Sequence, residues 1–520
     1  MKKHIRIISF LLILCLCFSI FVACDEATNE DESNGNNSNT VKCEDGTHVD
    51  VDDNGSCDIC EISLFVYIDF YAINDLHGKF SDTSSNNGVD ELTTYLKNTS
   101  LTDEHTVFLS SGDMWQGSSE SNLTNGKIIT EWMNELGFAS MTLGNHEFDW
   151  GEEAIEENAQ IAEFPILAIN IFDRDTNTRV DYCESSVVIE FDGFEVGIIG
   201  AIGDCYSSIS GDKTGEIYFK TGKELTALVK AEAQKLRSEG VDFIIYSLHD
   251  GFGQNKYSET KVTSKQISSY YDSSLSDGFV DLVFEGHTHQ RYVLVDEYGV
   301  YHLQNGGENK GISHVEIKLN SVTLSSDVNQ AEFVEANSYS YLNGDPLRDN
   351  LLEKYKDAIS KADEVLGTLN TSKRSEVIEQ MVAELYYKKA VETWGDEYDI
   401  VLGGGFIRTR SPYDLSAGIV KYSHVQSVLP FDNPLVLCSI KGSDLINKFF
   451  ETNNSDYFIY YEDYGASVYE NIDYDATYYV VVDSYTSTYA YNRLTEIDRL
   501  DDNIFARDLL AEFIKNGGWQ

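Results

Sequence analysis

Positive charge is what this chain has least of. Lysine and arginine together number 38 against 87 aspartates and glutamates, a net charge of -49 over 520 residues. Nucleic-acid polymers bind largely through basic side chains that neutralise phosphates, so they are excluded as ligands. A small phosphorylated substrate meets the same repulsive field. The positive charge that holds it must be supplied locally, by metal ions or a few arginines. Beyond Ala23 no apolar run is long enough to span a membrane. The nine cysteines form no even disulfide framework, and Cys183, Cys205 and Cys438 stand alone, as buried small hydrophobes do. Internal repeats are absent. Disorder is excluded by a 42% hydrophobic and 12% aromatic content. A chain of 520 residues exceeds one ordinary domain, so two domains with appendages are expected.

The N-terminus reads as an export signal. Lys2, Lys3 and Arg6 precede an apolar run from residue 7 to 23, and polar, acidic sequence follows at once. Phe21-Val22-Ala23-Cys24 resembles the lipobox of bacterial lipoproteins. That resemblance implies a signal peptide over 1–24, lipidation at Cys24 and a place on the outer face of the cell membrane; plain secretion is the alternative. Residues 25–40, rich in Asn, Ser, Glu and Asp, read as a tether. Within the appendage of residues 25–62, Cys43, His48, Cys57 and Cys60 have the donor types and density of a structural zinc site. The same stretch fits a calcium-loop template through Asp50, Asp52, Asn54, Gly55 and Glu61. A linker pinned by a disulfide is the third reading.

From residue 63 the texture changes. Short runs rich in Val, Ile, Leu, Phe and Tyr recur at 64–73, 106–109, 140–143, 194–199, 243–248 and 282–284, next to helical stretches such as 224–237. This alternation predicts an α/β layered domain over 63–340, followed by a charged linker helix within 341–366 and a mixed domain over 367–520. The chemistry-bearing residues sit just past the runs: Asn74-Asp75-Leu76-His77, Ser111-Gly112-Asp113, Gly144-Asn145-His146-Glu147, His249-Asp250 and Gly286-His287-Thr288-His289. In open α/β sheets ligands bind beyond the carboxyl ends of strands, so these loops are expected to converge. Carboxylates with imidazoles suit Zn, Mn or Fe better than Mg or Ca. Two such ions clamp a phosphoryl group effectively when one carboxylate bridges them, and Asp113, after a glycine, is placed for that.

The motifs D-x-H, G-D-x-x-x-G, G-N-H-E and G-H-x-H resemble those of the calcineurin-like metallophosphoesterases. The string from Leu143 to Gly151 resembles their 5′-nucleotidase and UDP-sugar hydrolase branch. The resemblance implies a β-sandwich flanked by helices, plus a C-terminal α+β substrate domain. It implies one divalent metal on Asp75, His77, Asp113 and His289, and a second on Asp113, Asn145, His249 and His287. His146, oriented by Asp149, would face the substrate phosphate. Gly403-Gly404-Gly405-Phe406-Ile407-Arg408 and Leu429-Pro430-Phe431-Asp432-Asn433-Pro434-Leu435 resemble that branch's substrate-domain signatures. By this likeness Arg408 binds phosphate, Phe431 stacks on a base, Asn433 is a further contact and Arg374 is a second phosphate-binding arginine. The branch's later glycine-rich segment with a ribose-binding Asp is missing. Tyr485 takes its stacking position and Tyr491 falls where the Asp would be. The expected activity is hydrolysis of phosphate monoesters of the 5′-nucleotide kind. Cyclic-nucleotide phosphodiesterase, UDP-sugar hydrolase or sugar-phosphate phosphatase action on the same site is the alternative, and a catalytically weak surface binding module is the alternative of another class.

Overall fold

The computed structural model describes Cys43 and residues 48–520, except 82–87, 103–104, 192, 254–269, 408, 410–413, 451–457, 462–471, 490–493, 501–503 and 520. The export signal, Cys24 and Arg408 lie outside the described residues.

Two six-stranded sheets build the N-terminal unit. One runs in the order Ser326–Glu335, Gly311–Asn320, Phe65–Ile73, Thr106–Ser110, Ser140–Thr142, Ile166–Leu167. The other runs Arg291–Val295, Tyr301–Asn305, Leu282–Glu285, Phe243–His249, Phe194–Ile202, Ser186–Phe191. Central strands pair in parallel, and antiparallel strands close every edge except that of Ile166–Leu167, which is parallel. Alternation along each central strand splits its side chains between two cores. In Phe65–Ile73, Ile68, Phe70 and Ala72 enter the layer between the sheets, where they meet Ile198, Ile245, Phe284 and Leu303 of the second sheet. Tyr71 and Ile73 face the opposite way, into a core shared with helices Asp90–Thr102, Lys127–Leu136 and Glu152–Ile161. Apolar residues on both faces are what a covered parallel sheet requires. The outer face of the second sheet is covered by Gly222–Glu239, whose Val229, Ala233 and Leu236 recur at helical spacing. The result is the α/β layering the strand texture predicts, in the helix-flanked sandwich that the resemblance implies.

The C-terminal unit has a five-stranded sheet in the order Phe458–Tyr460, Ile400–Gly405, Thr477–Asp483, Leu435–Lys441, Thr495–Arg499. Helices Ser375–Trp394, Tyr422–Val428 and Ala506–Lys515 pack on one face, and a smaller cluster around Leu445, Ile446 and Phe449 covers the other. The stretch read as one charged linker helix is divided. Leu347–Lys354 docks on the first unit through Leu347 and Leu351, breaks at Tyr355, and is followed by Lys356–Ile359 and a 3-10 turn, Ser360–Asp363. Beyond Leu351 no fully buried side chain anchors the helix, so little tertiary packing opposes its breaking.

Candidate active site

Parallel strands end on one edge, which brings Ile73, Ser110, Thr142, His249 and Glu285 and the loops after them together. The backbone there is strained. Asp75, His77, Asp113, His287 and His289 all adopt positive φ between 51° and 68°. For residues other than glycine this region costs about 1–3 kcal/mol each and persists where the surroundings enforce it. A buried carboxylate does the enforcing in one loop. Glu147 accepts N–H bonds from Asp113 (2.9 Å), Met114 (2.9 Å), Trp115 (3.2 Å) and Gly144 (2.7 Å), tying two loops together. Gly144 is dictated by contact: a Cβ there would sit 2.3 Å from the Asp113 carboxylate.

Within this frame seven donors converge. His77 Nε2 lies 3.0 Å from His289 Nε2, and His289 Nε2 lies 3.3 Å from Asp75 Oδ1. His249 Nε2 is 3.2 Å from Asp113 Oδ2 and 3.3 Å from Asn145 Oδ1, which is 2.9 Å from His287 Nδ1. Asp113 Oδ2 is also 3.9 Å from His77 Nε2, so its carboxylate stands between the two groups. Asp75, His77, Asp113 and His249 are essentially sealed from solvent. The outward nitrogens fix the tautomers. His77 Nδ1 pairs with the Gln116 carbonyl at 2.9 Å and His249 Nδ1 with the Ser111 carbonyl at 2.6 Å, so each neutral ring turns a lone pair inward. Imidazole nitrogens 3.0 Å apart, beside carboxylates, are the donor set of a bound cation. Without one, the field of the carboxylates falls on the imidazoles. Against its burial, Asp113 and Asp75 push His249 up to about 10, while burial and His249 lower His287 to about 4. Asp113, despite burial, is held well below the carboxylate range by His249 and His146. A divalent cation would relieve this imbalance.

His146 does not join the cluster. Its Nδ1 bonds Asp149 Oδ2 at 3.0 Å and its backbone N–H donates to Asp113 Oδ1 at 2.9 Å, so the ring stands at the cluster's rim, edge-on to His77.

Residues 68–291 match the calcineurin-like phosphoesterase family. Over that segment the chain is similar to the calcineurin-like phosphoesterases. Among its relatives, an apyrase of Tabanus yao is 25% identical over 418 residues, 72% of each chain. The UshA protein of Yersinia enterocolitica is 24% identical over 412 residues, 71% of this chain and 72% of its own. The 5′-nucleotidase of Mus musculus is 30% identical over 208 residues, 37% of this chain and 35% of its own. Among solved structures, the 5′-nucleotidase precursor of Thermus thermophilus superposes with a TM-score of 0.63 at 17% identity, over 87% of this chain and 96% of that one. The phosphoesterase is therefore a hydrolase of phosphate esters.

The cleft of this phosphoesterase lies between the two units and has a cavity volume of about 250 Å³. Asn145, His146, Asp149 and His287 line it from the first unit, and Phe406, Phe431, Asn433, Asp483 and Tyr485 from the second. The Phe431 ring lies nearly parallel to His146, centroids 5.9 Å apart and planes 25° apart. Phe406 and Tyr485 rest against each other at 5.9 Å and 30°, too close to admit a base between them, so they form one aromatic wall. Arg374 is not brought here. It precedes helix Ser375–Trp394, exposed, with Glu376 as its ionic partner at 3.9 Å.

Three residues were not legible as parts of the site. Phe406 is the second ring of the wall. Glu147 clamps the loops. Arg507, buried in helix Ala506–Lys515, pairs with Asp432 and reaches the Phe431 carbonyl at 3.3 Å, so it holds the loop that presents Phe431. Arg507 carries no signal of its own in the sequence, because its helix also holds Asp508, Glu512 and Lys515 and any of them could be a surface charge.

Proposed function

We propose that the phosphoesterase removes phosphate from nucleoside 5′-monophosphates at the outer surface of the cell. One observation carries the reading: a single cleft has the Asp/His cluster and His146 at one end and Phe406, Tyr485 and Phe431 at the other. Asp75, His77, Asp113 and His289 would hold one divalent ion, and Asp113, Asn145, His249 and His287 a second, from among Zn, Mn and Fe by donor type. Bound there, such ions supply Lewis acidity to phosphoryl oxygens and activate water for attack. The chain's own residues do the rest. His146, its Nδ1 held by Asp149, turns Nε2 to the cleft, where it donates a proton to the leaving 5′-oxygen. The aromatic wall and Phe431 receive the base, a contact tolerant of base identity because every base has a π-face. Arg408 is assigned to the substrate phosphate, and Asn433 is a further contact. Export by the N-terminal signal and retention at Cys24 place the enzyme outside.

The sugar is read weakly. Asp483 lines the cleft, but it is almost fully buried and its Oδ1 caps Thr486 N–H at 2.7 Å. A site built to bond a substrate hydroxyl rejects the analogue lacking it by about 10⁴-fold. AMP and dAMP are therefore expected to differ in kcat/KM by less than roughly tenfold, about 1.4 kcal/mol. Phe431→Ala should raise KM for both far more than for a small aryl phosphate. A hundredfold preference for AMP would show Asp483 reading the ribose, and indifference to Phe431→Ala would remove the stacking role.

A further inference from the structure

Far from the cleft, the first described residues make a knot that the hydrolytic chemistry does not use. Cys43 Sγ lies 3.3 Å from Cys57 Sγ and 3.4 Å from Cys60 Sγ, and His48 Nδ1 lies 3.5 Å from Cys60 Sγ. All four donor atoms fall within 4.8 Å of one another. Cys43 is thus equally near both partners. A disulfide would draw one pair to about 2.0 Å and leave a third thiol over. Four ligands about 2.3 Å from a central ion stand at the corners of a tetrahedron with edges of roughly 3.7 Å. The observed spacings are those of that tetrahedron, slightly contracted.

The segment also lacks any other means of holding its shape. Residues 48–63 contain no helix and only one isolated bridge, Ser56 to Ser63. Val49, Val51, Ile59 and Ile62 are exposed, and Cys57 is the one apolar side chain of the loop that is buried. So little apolar burial does not offset the entropy of ordering the chain, whereas a structural metal does. The backbone is nonetheless turned tightly round Cys57: its N–H donates to Ile62 O, its carbonyl accepts from Glu61 N, and Asp58 N–H reaches back to Val49 O.

The calcium-loop reading of the same stretch fares worse. Asp50 spends its carboxylate on Asn54 N–H, Gly55 N–H and Asn320 Nδ2. Asn54 Oδ1 accepts Ser56 N–H, and Glu61 points to solvent. Asp50, Asp52 and Asp58 lie within 4.8 Å of one another, but the template's Asn54 and Glu61 turn elsewhere, and Asp50 is engaged by Asn320 of the body. Asp53 accepts from Asn320, Thr323 and Ser325 at 2.7–2.8 Å in the turn between the two long edge strands. Gly55, at φ 73°, lies flat on the Phe65 ring, where any Cβ would overlap it.

We propose that Cys43, His48, Cys57 and Cys60 bind a structural zinc ion that makes this segment a buckle, tying the N-terminal tether to the catalytic body. The buckle sits at the start of strand Phe65–Ile73 and the Asp75–His77 loop at its end, so about 30 Å separates the two metal sites. Its sulfur ligands also set it apart, because no described cysteine belongs to the seven donors proposed at the cleft.

The test uses the full chain, purified without chelators, and zinc-edge X-ray absorption. The expected result is a Zn–S shell near 2.3 Å; Cys205, whose Sγ lies within 4.8 Å of the His249 and His287 donors, is removed as a source of that shell by Cys205→Ala, which should leave it unchanged. The variant Cys57→Ser with Cys60→Ser should lose that shell and one zinc per chain by elemental analysis. Residues 43–63 should then be cut by protease at least tenfold faster, with turnover of a small aryl phosphate within twofold of the parent. Absence of a sulfur shell from the parent protein would overturn the proposal, as would an intact mass two hydrogens light (a disulfide) or zinc content unchanged in the variant. Loss of cleft activity with the sulfur shell intact would count against the catalytic reading and leave the buckle standing.

Discussion

At the scale of single residues, the roles of Asp113 and His146 can be separated because only one of them faces both halves of the donor cluster. Asp113 Oδ2 stands between His77 and His249, while its Oδ1 takes the His146 N–H. Asp113→Asn should therefore lose most bound cleft metal together with nearly all turnover. His146→Asn should keep the metal and lose kcat by roughly 10²–10⁴-fold, the range for a removed general acid. Elemental analysis beside steady-state kinetics distinguishes them, and full turnover in Asp113→Asn would end the two-ion reading. His314 offers a residue-scale test away from the cleft. It stacks on Tyr71 at 4.3 Å and meets Asp69 at 2.6 Å and Glu332 at 3.3 Å. Burial disfavours its charge, yet these carboxylates hold the imidazole above its ordinary value of 6.5. A raised folded-state value means that its stabilisation is complete below about pH 6.5 and fades as pH climbs through the folded value. Denaturant midpoints of the parent should accordingly fall across that window relative to those of His314→Gln, which lacks the titration.

At the scale of elements, the strand ends were legible because each apolar run and the ligands after it form one contiguous motif. Asp75 and His77 follow Ile73 directly, and His287 and His289 follow Glu285. What escaped the sequence depends on partners distant along the chain. Arg507 acts on a loop 76 residues away, and Glu147 acts through backbone N–H groups, which leave no trace in residue type. The linker helix was overread because its charged composition suits a helix, while only Leu347 and Leu351 fasten it. Arg374 shows the converse: a motif register put it at the phosphate, and the helix start puts it in solvent. The Arg507 assignment predicts a specific defect. Removing the arginine alone leaves Asp432 buried without its partner, which is strongly destabilising. The paired variant Arg507→Met with Asp432→Asn avoids that penalty while still freeing the 430–433 loop. It should raise KM for AMP about tenfold, equivalent to about 1.4 kcal/mol, and leave kcat on an aryl phosphate unchanged. Equal effects on both substrates would mean that the loop serves the metal end instead.

At the scale of the whole molecule, the cleft is shared between two units, so their separation is a catalytic variable. In the present arrangement Phe431 covers His146 at 5.9 Å. Carbon atoms in contact lie about 3.5–4.0 Å apart. A planar group between two parallel rings therefore needs about 7 Å, and a nucleotide that spans from His146 to the aromatic wall requires the units to part before it enters. Motions of this kind, on microsecond to millisecond scales, often limit turnover. A built-in clamp can test the requirement. A Cβ at Gly211 of the first unit would lie 3.1 Å from Thr488 Cγ2 of the second, close enough for a disulfide between cysteines at these positions. Oxidised Gly211→Cys with Thr488→Cys should turn over AMP at least a hundredfold more slowly than the same protein after reduction. A small aryl phosphate, which does not bridge to the aromatic wall, should be affected less than tenfold. Reduction restores both rates if the clamp alone is responsible. Undiminished AMP hydrolysis by the fully oxidised protein would show that substrate enters without separation, and that Phe431 meets the base on the face it turns away from His146.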